Sequence, residues 1–324
     1  MKNIGILGCG NIARKMATTV NQMENANLYA AASRTYSKAQ EFASEFNIDK
    51  AYGSYLELVQ DENVDLVYVA VPHSHHYELI KLSLNNNKNV LCEKAFTVNA
   101  KMAKEVIELA KSKHLLLAEA IWTRYLPSRA IISEIIKSGV LGKISTIDAN
   151  LGYNIVDHER IKKKELAGGA LLDLTVYPIN FALMFFPDEI RSIESSVTFL
   201  PKAGVDSMEN VSLIYEDGKM ASLRTSIFTN LDRRGVIYGD KGYLEITNIN
   251  NPEKIVLYNT EYKVVKEYEI PKQITGFEYE VDECLEMIGK GKIECPSMPH
   301  SEIIKVMEVM DELRKQWDLH YDFE

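Results

Sequence analysis

Three residues in this chain have the types and surroundings that proton transfer at a carbon–oxygen bond needs: Lys94, Asp173 and Tyr177. Lys94 follows the apolar run Asn89–Cys92, within Glu93-Lys94-Ala95. Residues at the C-terminal ends of parallel strands line the ligand crevice of an open α/β sheet. An amine there, partly withdrawn from water, can give or take a proton or polarise a carbonyl. Taken alone, it is better read as a surface lysine at a strand end. Asp173 and Tyr177 belong to Gly168-Gly169-Ala170-Leu171-Leu172-Asp173-Leu174-Thr175-Val176-Tyr177-Pro178. Residues four apart share one face of a helix, and the leucines around these two make that helix a buried one. A carboxylate placed there needs a partner, because unpaired burial is costly. It can orient Lys94 or a substrate hydroxyl, or it can be a salt-bridged core residue beside a core tyrosine. A phenol next to a lysine is a competent general acid/base. Gly168 and Gly169 would let the helix start lie close to a flat ring.

Two further groups carry chemistry. Pro72-His73-Ser74-His75-His76 follows the apolar strand Leu66–Val71. Adjacent His75 and His76 cannot easily share one ion, and no acid or cysteine stands beside them, so no metal is expected. A loop over a cofactor is the better reading, with Pro72 and His76 as contacts. Glu119-Ala120-Ile121-Trp122-Thr123-Arg124-Tyr125-Leu126-Pro127 stands where the chain changes texture. Trp122, Arg124 and Tyr125 could line a polyol pocket by stacking and hydrogen bonding, and Tyr153 is a further candidate substrate contact. The alternative for this group is a packing joint.

These side chains need a platform, and the N-terminus supplies one. The strand Ile4–Leu7 runs into Gly8-Cys9-Gly10-Asn11-Ile12-Ala13 and then a helical stretch to Val20. This is the G-x-G-x-x-A form of the dinucleotide-binding turn. Gly8 permits the tight turn, Gly10 admits a pyrophosphate to the backbone, and Ala13 lets helix and strand pack closely. Asn11 and Ile12 open a helix whose free N–H groups suit phosphate. The second strand ends Ala32-Ser33-Arg34-Thr35, so Arg34 lies 26 positions after Gly8, about where an acid would hold the ribose of NAD. A guanidinium there pairs with a 2′-phosphate, and Ser33 adds a hydroxyl, which favours NADP with NAD as the alternative.

Up to residue 120 apolar strands alternate with helical patterns, which reads as a doubly wound parallel sheet of Rossmann type. From residue 121 to 324 the pattern becomes alternating strands with two closing helices, an α+β domain with a mostly antiparallel open sheet. The second domain is expected to bind substrate and to mediate oligomerisation. Of 324 residues 46% are hydrophobic and 26% charged, with 37 basic against 46 acidic and a net charge of −9. No long basic run invites nucleic acid. The uncharged stretch Leu174–Pro187 is short for a membrane span and contains Pro178. Cys9, Cys92, Cys284 and Cys295 are scattered, which suits reduced thiols in the cytoplasm. The first residues lead straight into the glycine turn rather than reading as a signal peptide.

Together, Gly8–Ala13, Pro72 to His76, Glu93-Lys94-Ala95 and Gly168 through Tyr177 resemble the Gfo/Idh/MocA family of NAD(P)-dependent oxidoreductases. Residues 120–127 and the Leu-Leu-Asp…Tyr-Pro pattern look like its dihydrodiol dehydrogenase and D-xylose dehydrogenase branch. The resemblance implies that Lys94 is the active-site lysine, that Asp173 and Tyr177 face the substrate, and that Glu93 and Lys94 adjoin the cofactor. It implies hydride transfer between NADP(H) and a sugar, polyol or vicinal diol, in a homo-oligomer built through the open sheet face. The alternatives are an NAD(P) sensor without turnover, or a redox-assisted lyase or glycosidase. Three positions depart from the family's pattern: Ala95 stands where proline is usual, Ala167 precedes Gly168, and Thr175 stands where glycine is frequent.

Overall fold

A computed structural model describes residues 1–324. The elements run β1 (Lys2–Leu7), α1 (Asn11–Val20), β2 (Ala26–Ala32), α2 (Tyr36–Phe46), β3 (Lys50–Tyr52), α3 (Tyr55–Gln60), β4 (Leu66–Val69), α4 (His76–Asn85), β5 (Asn89–Glu93), α5 (Ala100–Lys113) and β6 (Leu117–Ala120). Then follow α6 (Pro127–Lys137), β7 (Ile144–Gly152), α7 (Glu159–Lys162), α8 (Val176–Phe185), β8 (Ile190–Phe199), β9 (Asp206–Tyr215), β10 (Met220–Ser226), β11 (Gly235–Gly239) and β12 (Gly242–Thr247). The chain closes with β13 (Lys254–Asn259), β14 (Val264–Tyr268), α9 (Glu278–Gly289) and α10 (His300–Gln316).

The first sheet has the order β3-β2-β1-β4-β5-β6, and each neighbouring pair is parallel. This is the doubly wound Rossmann order, with the reversal between β1 and β4. All four residues of β4 are buried, as a strand covered on both faces requires. Local signals set the helix starts. Ser54 and Glu57 form a capping box on α3, and the Asn99 side chain accepts from Met102 N–H at the start of α5. The second sheet has the order β14-β13-β12-β11-β7-β10-β9-β8. Its pairs are antiparallel except β7 with β10.

The chain divides into two compact units, Met1–Tyr125 with Gln273–Met307, and Leu126–Lys272 with Glu308–Glu324. The expected division into 1–120 and 121–324 differs in the returning segment 273–307. Helical periodicity says that α9 is amphipathic, not which sheet it covers. Three contacts show how this segment joins the first unit. Leu117 N–H donates to Ile293 O at 3.0 Å, a ring nitrogen of His300 faces Leu117 O at 2.9 Å, and the Thr19 and Thr275 hydroxyls meet at 2.6 Å. In the second unit, the long apolar stretch Lys164–Phe185 is mostly buried as a core segment.

Candidate active site

Gly8 has φ +99°, and a Cβ built on it would stand 2.4 Å from Ala70 O. Only glycine allows the end of β1 to pass so close to the chain leaving β4. A Cβ at Gly10 would meet no protein atom within 4 Å. That open ground lies at the N-terminus of α1, where no side chain caps the free N–H groups. A pyrophosphate fits both facts, since it needs space against the backbone and donors with a positive dipole end. Ala13 is fully buried where α1 meets the sheet. Burial pushes the Cys9 thiol up to about 11, against the opposing pull of Arg14, so it is a neutral group in the turn. Arg34 is exposed just past β2. His75 lies within its field: burial chiefly, and Arg34 secondarily, hold the imidazole below its usual value. The Ser33 hydroxyl accepts from Thr35 N–H at 3.3 Å.

The Lys94 segment is braced from inside the first unit. The Tyr68 hydroxyl donates to the Glu93 carboxylate. The ring nitrogens of His76 face Ala95 O at 2.8 Å and Val71 O at 2.9 Å. Phe96 N–H donates to Glu119 Oε1 at 3.0 Å. Lys94 itself is half-buried, and its peptide bond to Ala95 is cis. His76 was expected to touch a cofactor. Its ring is instead wholly buried on two carbonyls, and burial holds it down to about 4 despite those acceptors. It is therefore a neutral ring packed between the Val71 and Ala95 carbonyls, with one N–H to donate to one of the two. Glu93, only 6% exposed, likewise braces β4 through Tyr68. Pro72, half-buried, opens the short turn His73–His75.

Trp122 is half-buried and stacks on Phe277 with ring centroids 4.5 Å apart. Arg124 was expected to line a pocket, but its side chain is 1% exposed and pairs with Glu302 at 3.0 Å. The packing-joint alternative describes it. No group of three or more His, Cys, Asp or Glu side chains is placed to share a metal. Cys284 and Cys295 are buried free thiols with sulfurs 3.7 Å apart.

In the second unit Asp173 is 3% exposed. Its two oxygens accept from the Arg160 guanidinium at 2.8 and 3.1 Å. Sequence reasoning missed Arg160, although a buried carboxylate asks for a cation and Arg160 stands 13 positions upstream. Gly168 explains the approach: a Cβ there would lie 2.6 Å from Arg160 O and 2.4 Å from Ile161 O. The close approach at Gly169 is to Asp206, whose Oδ1 would stand 2.3 Å from a Cβ. Both glycines therefore make room for protein, which corrects the reading that they make room for a flat ring.

Residues Leu171–Thr175 form a π-helical turn ahead of α8. Its wider turn means that Asp173 and Tyr177 do not stack at plain α-helical spacing. Asp206 Oδ2 accepts from Leu171 N–H at 2.5 Å, and Glu209 Oε2 accepts from the Thr175 hydroxyl at 2.5 Å. Thr175, where the family often has glycine, thus anchors the turn. Ala167, the other departure there, has φ +53°. Tyr177 is 9% exposed. Tyr153 is half-buried, with Asn250 donating to its hydroxyl at 3.4 Å and the Arg233 guanidinium 5.9 Å from its ring centroid.

A parallel sheet in this order with an open glycine turn over a helix N-terminus defines a dinucleotide-binding Rossmann protein. The chain matches the Gfo/Idh/MocA family model described as "Oxidoreductase family, NAD-binding Rossmann fold" over residues 2–120. It matches the family's C-terminal domain over residues 130–245. It belongs to the Gfo/Idh/MocA family of oxidoreductases. Among curated relatives, trans-1,2-dihydrobenzene-1,2-diol dehydrogenase of Mus musculus is 33% identical, covering 96% of this chain and 95% of its own. The D-xylose 1-dehydrogenase (NADP(+)) of Hypocrea jecorina is 35% identical, covering 90% of this chain and 83% of its own. A 3-ketoreductase from Actinomadura kijaniata, solved with NADP and TDP-benzene, superposes with a TM-score of 0.88 at 22% identity over 97% of each chain. That last likeness is one of fold.

Proposed function

We propose that this oxidoreductase moves hydride between NADP(H) and a CH–OH carbon of a sugar, polyol or vicinal diol. The observation that carries the reading is the braced Lys94 segment beyond β5, in the same Rossmann sheet as the open Gly10 turn. In the oxidative direction the substrate loses a hydride from carbon and a proton from its hydroxyl. The nicotinamide, when bound, supplies the two-electron acceptor. Tyr177 takes the hydroxyl proton, and Lys94 holds the oxygen as its charge develops. Asp173, fixed by Arg160, orients the substrate, with Trp122 and Tyr153 as further contacts. Gly8, Gly10, Asn11 and Ile12 receive the pyrophosphate, and Ser33 with Arg34 receives the 2′-phosphate; Pro72 borders the cofactor. Glu93, His76 and Arg124 act by holding their neighbours in place. The names of the dihydrodiol and xylose dehydrogenases agree with this substrate class.

We also infer a homo-oligomer, dimer or tetramer, in the cytoplasm, with neither nucleic acid nor membrane as partner. Its contact is the open sheet face where Tyr238, Tyr243 and Tyr258 are cross-strand neighbours. The last two stack with centroids 4.7 Å apart. These half-buried tyrosines form an aromatic row on the sheet, of the kind that associates. Steady-state assays over a panel of aldoses and vicinal diols, with NADP+ and NAD+ in parallel, test the activity. NADPH formation with at least one such substrate supports it. Tight cofactor binding with no turnover across the panel overturns it in favour of a sensor.

A further inference from the structure

We propose that Glu119 is a positioning residue for Lys94, acting through the Phe96 amide. Glu119 lies on β6 directly across from Cys92 on β5 and is 1% exposed. Its Oε1 accepts from Phe96 N–H at 3.0 Å. Its Oε2 is buried with no hydrogen-bond partner. His76 Nδ1 lies 2.8 Å from Ala95 O, so a single peptide group, Ala95–Phe96, next after the Lys94–Ala95 bond, is bracketed at its carbonyl by an imidazole and at its N–H by this carboxylate. The direction in which the lysine leaves the strand depends on both.

The charged and titratable groups around Glu119 come from four places: Cys92 and Glu93 on β5, Lys94 beyond it, Arg124 and Tyr125 at the turn after β6, the Tyr125 hydroxyl donating to Glu119 O at 2.9 Å, and Glu280 on α9. Burial raises Glu119 to about 7; Arg124, the Phe96 amide and Lys94 oppose the rise, and Glu93 adds to it. Glu280 is fully buried, with neither carboxyl oxygen hydrogen-bonded. Burial, with Glu93 beside it, keeps Glu280 well above the usual carboxylate range and therefore neutral. Glu119, raised to about 7, changes charge within the working pH range. Its ionised form is the stronger acceptor for Phe96 N–H and sets a negative charge beside Lys94.

Stability alone would favour glutamine here. Because the folded value lies above the unfolded one, the stabilising contribution is complete below the ordinary glutamate value. It is lost as pH rises towards about 7. A residue kept only for packing would then gain from Glu119→Gln at alkaline pH and lose no activity.

The inference rests on the reading of Lys94 as a proton-bearing group, and Glu119→Gln separates the two. Above neutral pH the variant melts higher than wild type while its kcat is lower by about tenfold. The kcat ratio returns towards one near pH 6, where wild-type Glu119 is also neutral. A ratio near one at every pH overturns the proposal. In the wild-type chain, protection of the Phe96 amide against hydrogen exchange, corrected for intrinsic rate, rises between about pH 6 and 8. Unchanged protection overturns the proposal as well. The exchange measurement needs no substrate, so failure of the oxidoreductase reading and failure of this inference give different results.

Discussion

Arg160 and Asp173 form a two-pronged ion pair, with both carboxylate oxygens accepting from one guanidinium at 2.8 and 3.1 Å. Asp173 is nearly buried while the Arg160 side chain is 46% exposed, so solvent screens one side of the pair. Arg160→Met removes this two-pronged pair from a nearly buried carboxylate and costs about 1–3 kcal/mol of stability, measured by urea denaturation. It also raises KM for the substrate without changing NADPH affinity. Arg160→Lys recovers only part of this, because an ammonium cannot reproduce the two-pronged geometry. Wild-type KM in Arg160→Met would remove Asp173 from the substrate site.

The proposed 2′-phosphate contact of Arg34 has a direct consequence for cofactor choice. Arg34→Asp raises the Kd for NADPH at least about tenfold through loss of the charged contact and new repulsion, and leaves NADH nearly unchanged. Fluorescence titration with each cofactor checks this. Equal weakening of both would mean that Arg34 meets no 2′-phosphate.

The turn that carries Asp173 has its own pH dependence. Burial, with Asp206 beside it, pushes Glu209 well above the usual carboxylate range. Folded Glu209 therefore keeps a proton that the unfolded chain releases above its ordinary value. Stability is complete below that value and falls as pH rises towards the folded one, by about 1.4 kcal/mol per pH unit. Glu209→Gln removes this slope, so its melting temperature declines less than wild type towards alkaline pH. Parallel curves for the two proteins would contradict the assignment.

Much of this was legible from residue order. Gly8, Gly10 and Ala13 carry the turn because each position has one steric requirement, and a strand such as β4 declares itself by continuous apolar residues. The mostly antiparallel second sheet followed from alternation. What escaped was what depends on contacts between distant segments. Arg160 carries no periodic signal, and its role appears only where Gly168 lets its backbone approach the helix start. The same limit applies to His76, Arg124 and the return of 273–307, since a motif names a residue type without saying which of its neighbours consumes its hydrogen bonds. β3 is three residues long, and β14 is exposed along most of its length, so neither has an apolar pattern to read.

The central claim is that Lys94 and Tyr177 transfer a proton while hydride moves, and paired kinetics test it most directly. Lys94→Ala and Tyr177→Phe are compared with wild type for kcat on a turned-over sugar or diol and for NADPH Kd by fluorescence. The account predicts that each variant loses about 100-fold or more in kcat with NADPH affinity retained. Turnover near wild type in both variants would contradict it.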